Sequence, residues 1–265
     1  MKNSYALIVA INHYQEPGND LAGCINDAMD WAKRFREVKM PAVNIRALFD
    51  NDATKLGMIT ALKEWHAHAT PHHRVIVILD SCFSGGMSRS SEKNITKMRY
   101  MKSPRRPDSA LPLRRFGIRQ DDLRSTRSSP YQKHYLLSAC KENQTAADAE
   151  FEGRPNGAFT WGLMRAIDEC GLAGSIHDVF AQAKLAVKQQ GYEQRPQLEG
   201  PGNIMGLPFF ANDSLYFIYS GHGSQVEDSS EDEGEKLDEI LCPYDCDLWW
   251  NDPLSDDVLA KILKS

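Results

Sequence analysis

The chain reads as an α/β protein whose core is a mainly parallel sheet with helices on both faces. Three features of the sequence predict it. Several runs of strand length, Ser4–Ile11, Arg74–Leu79 and Ser214–Tyr219 among them, are apolar almost throughout. Segments with apolar residues at helical spacing alternate with these runs. Turn clusters rich in Gly, Ser and Asn close several of them. Successive strand side chains point to opposite faces, so a run apolar at every position needs cover on both, which is the pattern of a parallel sheet in an α/β domain.

In chain order, Ser4–Ile11 is a strand ending in an Asn-His loop. Leu21–Val38 places Leu21, Ile25, Ala28, Met29, Ala32 and Phe35 at helical period and predicts an amphipathic helix. Asn44–Phe49 is a short strand, and Asn51–Thr54 is a cap signal opening a helix to about His68. Arg74–Leu79 is a buried strand that stops at Asp80-Ser81-Cys82-Phe83-Ser84-Gly85-Gly86. His134–Ala139 is the next strand, followed by helices over Asn156–Cys170 and Ile176–Gln190. Ser214–Tyr219 is a strand that stops at Ser220-Gly221-His222-Gly223, and Ser255–Leu263 closes the sequence as a helix.

At 265 residues, 42% hydrophobic and 25% charged, the composition is that of a globular protein and excludes disorder, collagen and coiled coil. No apolar run approaches the ~20 residues of a membrane helix, and none near Met1 has secretory proportions, so a soluble, cytoplasmic protein is expected. Six cysteines are too sparse for a disulfide scaffold, so any cysteine chemistry is expected to be that of free thiols. The net charge of -5 argues against nucleic acid as a partner but hides a segregation. Residues 87–133 carry 13 Lys/Arg against 4 Asp/Glu, whereas residues 226–257 carry 1 against 13. The basic stretch also holds Pro104, Pro107, Pro112 and Pro130 and no sustained period, so it reads as a long exposed loop.

Two strands end in Gly-rich turns, one bearing Cys82 and the other His222. In open parallel sheets the carboxyl ends of strands are where ligands bind. A free thiol with a pKa of about 8.5 is only slightly ionised at neutral pH, so a nucleophilic cysteine needs a base beside it. If the two strands are neighbours, His222 can serve Cys82 as base and proton shuttle, and the backbone N–H groups of Cys82 and Gly223 can hold an oxyanion. Cys242 and Cys246 lack a matching second pair and do not make a zinc site.

Taken with their neighbours, these residues resemble the prokaryotic metacaspase-like proteins, or orthocaspases, of the caspase-fold cysteine peptidases. The blocks that carry the resemblance are ALIVAIN from Ala6, LAGCINDA from Leu21, DSCFSG from Asp80, LSACKENQTAA from Leu137, GAFT from Gly157, YSGHGSQ from Tyr219, DEILCP from Asp238 and LSDDVL from Leu254. Phe83 stands where metacaspases usually have His. The resemblance implies a single caspase-like domain over 1–265 with a central sheet of about six strands. Residues 1–86 and 213–265 correspond to the large subunit, 87–133 to the basic loop and 134–212 to the small subunit. The order is permuted, because in the family the His strand precedes the Cys strand. The helix ending near His68 then feeds Arg74 directly, leaving a vacant slot in the sheet for the C-terminal strand to fill.

The resemblance also implies Cys82 and His222 as a catalytic dyad, and Asp27, Asp80 and Ser220 as the lining of the pocket for the residue before the cleaved bond. Two carboxylates on one pocket repel each other unless a cation arrives, so the expected substrates are proteins or peptides with Arg or Lys there. A basic loop is then a substrate for its own enzyme, and self-cleavage within 87–133 is expected. No cofactor is required on this reading. Asp256 and Asp257 match calcium ligands of calcium-dependent metacaspases, but Arg89 stands where a further acidic ligand belongs, and a solvated acidic face is the simpler reading. Neither nucleic acid nor membrane is an expected partner, and a monomer is expected. A catalytically idle caspase-like interaction module is the alternative from another class, with an acyl transferase or other Cys hydrolase a third.

Overall fold

A computed structural model describes residues 1–82, 95–101, 133–141, 144–200, 206–227, 237–246 and 254–264. The strands are β1 Tyr5–Ala10, β2 Ile45–Phe49, β3 Arg74–Asp80, β4 Ile95–Met98, β5 Lys133–Ser138, β6 Ala147–Phe151, β7 Arg154–Gly157, β8 Gln197–Glu199, β9 Ser214–Ser220, β10 Gly223–Glu227, β11 Leu237–Leu241 and β12 Leu254–Ser255. The helices are α1 Cys24–Glu37, α2 Lys55–His66, α3 Ala158–Cys170, α4 Ile176–Gln189 and α5 Asp256–Lys264. Among the described residues no helix is long and apolar enough to cross a membrane.

Six strands form the main sheet in the order β2-β1-β9-β3-β5-β8, all parallel except β8. All seven residues of β3 and all seven of β9 are buried, as their apolar sequences require of central strands. β9 pairs with β1 on one side and with β3 on the other, from Arg74 opposite Ser214 to Asp80 opposite Ser220. The C-terminal strand thus fills the slot left between β1 and β3. Arg74 pins its entry, with Nε 3.1 Å from Ser214 Oγ and the guanidinium donating to the carbonyls of Pro208 and Phe209.

The helices follow from local chemistry. Thr54 caps α2, its hydroxyl accepting from Gly57 N at 3.1 Å, and Ser175 caps α4 through Asp178 N at 3.0 Å. α1 buries Cys24, Asp27, Ala28, Trp31 and Phe35, a stripe at helical spacing with one carboxylate in it. That carboxylate does not cap the helix. The first N–H groups of α1 are satisfied from outside, Cys24 N by Asn12 Oδ1 at 2.8 Å and Gly23 N by Asp148 at 3.1 Å.

One expectation needs correction. The basic stretch is not uniformly an exposed loop, because residues 95–98 form β4, antiparallel to β6, and Arg99 and Met101 are buried. The remainder of that stretch, residues 87–94 and 102–132, lies outside the described residues. β6 and β7 form a hairpin turning at Glu152 and Gly153, both at positive φ (54° and 80°). A two-residue turn with both centres left-handed matches the twist of its strands, and Glu-Gly is an uncommon sequence for it. β10, β11 and β12 make a second small sheet beyond the His222 turn.

Candidate active site

Asp80 and Ser220 are paired across β3 and β9, so Cys82 and His222 each lie two residues beyond the same rung. Gly221 makes the sharp exit from β9 possible: a Cβ there would meet the hydroxyls of Tyr219 and Tyr14 at 2.7 and 2.8 Å. The Tyr14 hydroxyl accepts from His222 N at 2.7 Å, and the Tyr219 hydroxyl donates to His222 O at 2.6 Å. His222 is thereby gripped at both ends of its backbone.

Its ring is fixed as well. His222 Nε2 lies 2.7 Å from the carbonyl of Asn19, and a carbonyl only accepts, so Nε2 carries the hydrogen. In the neutral ring the lone pair is then on Nδ1, which is buried and has no hydrogen-bond partner among the described residues. Burial holds the imidazole in this neutral form, pushing its pKa down to about 4. The Cys82 thiol is pushed up to about 12 by burial, so it rests protonated. Its thiol donates to Ala146 O at 4.0 Å, and it makes no hydrogen bond to His222.

The centre is filled by residue 99 of this same chain. Arg99 O accepts from Cys82 N and from Gly223 N, each at 3.1 Å, the two groups expected to hold an oxyanion. Arg99 N donates to Ala146 O at 3.0 Å, and Met101 N to Gly223 O at 3.0 Å, so the segment that follows β4 is held through the site by its backbone. The guanidinium is fully buried among carboxylates. Nη2 lies 2.7 Å from Asp27 Oδ2 and 2.9 Å from Asp148 Oδ1, while Nη1 donates to Ser220 Oγ at 2.8 Å and to Asp80 O at 3.1 Å. Asp80 Oδ1 stands 3.3 Å from the same Nη1, an ion-pair contact outside hydrogen-bond alignment.

The carboxylates are themselves held. Asp27 accepts from Asn156 Nδ2, Gly157 N and Ser220 Oγ. Asp80 Oδ2 accepts from Thr160 N and Oγ1 at 2.8 and 2.7 Å, capping the start of α3 from another element. Burial pushes the Asp27 carboxyl up to about 7, with Arg99 pulling against it and the charge of Asp80 adding to it. Arg99 at this place offsets part of the cost of burying these carboxylates together.

Asp27, Asp80 and Ser220 therefore converge on one guanidinium, and Cys82, His222 and Gly223 surround the backbone that carries it. Asp148 and Arg99 are members of the cluster that the sequence reading missed. Asp148 is buried along with Ala147 and Ala149 on either side, and nothing in its local sequence marks it. Arg99 is one of 13 basic residues in its stretch, marked only by Met98, Tyr100 and Met101 beside it. The side chains of Asp256 and Asp257 lie outside the described residues. Among the described residues no group of acids, histidines and cysteines is arranged to hold a metal ion.

A sheet of this order, with Cys and His turns on adjacent central strands, defines the caspase class of α/β domain. The caspase domain profile matches residues 3–75 and 67–202, and the profile of the metacaspase peptidase C14 domain matches residues 209–265. The chain belongs to the caspase domain family, with a metacaspase-like C-terminal block, and this is a family of cysteine peptidases. It is 30% identical over 92 residues to Metacaspase-1 of Schizosaccharomyces pombe, covering 28% of this chain and 22% of that protein. It is 34% identical over 110 residues to Metacaspase-3 of Arabidopsis thaliana, covering 35% and 30%. The matches thus span less than a third of these relatives' length. The crystal structure of protein GSU0716 from Geobacter sulfurreducens superposes with a TM-score of 0.55 at 16% identity, over 80% of this chain and 99% of that one, a likeness of fold.

Proposed function

We propose that the chain is a cysteine endopeptidase cleaving after Arg or Lys through Cys82 and His222, and that it cuts its own basic stretch. The observation that supports this best is Arg99, whose side chain satisfies the acidic cluster while its carbonyl takes the N–H groups of Cys82 and Gly223. Each charge-assisted hydrogen bond contributes roughly 1.5–3 kcal/mol, so two of them favour a cationic side chain about a hundredfold or more over a neutral one.

In this reading His222 Nδ1 takes the thiol proton as the sulfur attacks the carbonyl carbon of the basic residue. The oxyanion keeps the two N–H bonds that the carbonyl already has. The adduct collapses as the protonated ring gives its proton to the departing amine, leaving a thioester on Cys82. Water, deprotonated by the same ring, then releases the new carboxylate and restores the thiol. No cofactor enters. A chelator leaves turnover intact if the acidic stretch is only a solvated face, and removes it if Asp256 and Asp257 ligate calcium.

The test is a set of fluorogenic peptides with Arg, Lys or Asp before the reporter, run beside Cys82→Ala. Release from the Arg and Lys peptides alone, absent in the variant, is the expected result. Release from none of them would favour an interaction module.

A further inference from the structure

The turn at residues 18–20 touches both the bound segment and the base. Its outer carbonyls, those of Gly18 and Asp20, accept from the Lys97 ammonium at 2.6 and 2.7 Å. The carbonyl between them, Asn19 O, accepts from His222 Nε2 at 2.7 Å. Lys97 lies in β4 two residues before Arg99, which follows directly on the strand's end at Met98. One short turn therefore reads a cation with two of its carbonyls and orients the imidazole with the third.

The physics couples the two tasks. Neighbouring carbonyls drawn toward one region repel each other, and a bound ammonium removes that repulsion while a solvated, empty turn does not. The turn's other restraints lie on its Asp20 side: Tyr14 N donates to Asp20 Oδ1 at 3.1 Å, exposed His13 stands 3.4 Å from Asp20 Oδ2, and Leu21 N donates to Asn12 O at 2.7 Å. Gly18 is left-handed, at a φ of 88°. A Lys97 that ties down Gly18 O and Asp20 O thus also sets where Asn19 O points, and with it the His222 ring.

We propose that the 18–20 turn is a second specificity site, which takes a basic side chain two residues before the cleaved Arg, and that filling it positions His222 for catalysis. The inference rests on the endopeptidase reading above. It assigns Arg99–Tyr100 as the self-cleaved bond and Lys97 as a positioning residue, so the favoured substrate class is a basic residue, any residue, then Arg.

The test has two arms, both with the full chain. After self-cleavage is complete, the enzyme is given acyl-Lys-Met-Arg, acyl-norleucine-Met-Arg and acyl-Glu-Met-Arg reporters. Replacing Lys by norleucine is expected to lower kcat about tenfold with a smaller change in KM, and Glu to lower it further. In the chain itself, Lys97→Met is expected to slow the first-order appearance of a fragment ending at Arg99 about tenfold, and Lys97→Arg to restore most of the rate. Thermal melting of both variants separates this from a folding defect, which the peptide arm avoids altogether. Equal kcat for the Lys and norleucine peptides, or a difference confined to KM, overturns the proposal while leaving the endopeptidase reading in place. Cleavage of none of the three peptides overturns that reading and this proposal with it.

Discussion

Arg99 is held by three buried carboxylates, and its removal leaves them facing one another without a cation. Breaking a buried ionic cluster from one side costs about 3–5 kcal/mol. Arg99→Ala is therefore expected to melt at a clearly lower temperature and to lose the fragment ending at residue 99, read by mass spectrometry. Arg99→Lys keeps a positive charge but loses the planar fork, so it should be cut more slowly and melt between the two. Cys82→Ala is expected to remain intact indefinitely, at least about a thousandfold slower, with an unchanged melting point. The pH dependence follows from the two buried groups. His222 must be neutral to accept a proton, and burial pushes it down to about 4, so self-cleavage is lost only as pH falls through that value rather than through about 6.5. The thiol, pushed up to about 12, adds no thiolate at neutral pH, so any change in the first-order rate between about pH 5.5 and about 9 is expected to follow the Asp27 carboxyl, pushed up to about 7, whose protonation weakens its hold on Arg99. An acid limb near 6.5 that persists in Asp27→Asn would mean that the base is solvated when the chain cuts itself.

At the scale of elements, the start of α3 closes the site. A Cβ on Gly157 would come within 2.2 Å of Asp80 Oδ2 and 2.5 Å of Arg99 Nη1. Gly157→Ala should therefore displace the guanidinium and abolish cutting after Arg99 while α3 itself survives, checked by fragment analysis beside circular dichroism. Much of this architecture was legible beforehand. The Asn51–Thr54 cap, the helix expected over 156–170 and found over 158–170, and the largely apolar β3 and β9 announce themselves locally, because each is decided by residues close in sequence. What stayed hidden depends on partners far away in the chain. β4 becomes a strand only by pairing with β6, and the β6–β7 hairpin turns on a Glu-Gly pair that carries little signal. Asp27, Asp80 and Ser220 were found through motif resemblance, whereas Asp148 and Arg99 lie outside those motifs and are defined by the cluster they complete.

For the molecule as a whole, the strand order β1-β9-β3 places a segment late in the chain between two early ones, because a strand's neighbours are set by its pairing faces rather than by its place in the sequence. A rearranged gene with residues 209–265 inserted between His68 and His73 is expected to fold to the same strand order and to cut the same Arg peptides within about tenfold. An insoluble product would show that the direct α2 to β3 connection is itself required. The placement of β9 between β1 and β3 also fixes when Cys82 and His222 can first stand on neighbouring strands. Translation runs from amino to carboxyl end, so Asp27, Cys82, Arg99 and Asp148 have all been added before β9, the central strand that carries Ser220 and leads to His222, is made. On the endopeptidase reading proposed above, the nascent chain then holds its thiol without the base meant to take its proton, and cutting cannot begin until the strand leading to His222 has been made and paired.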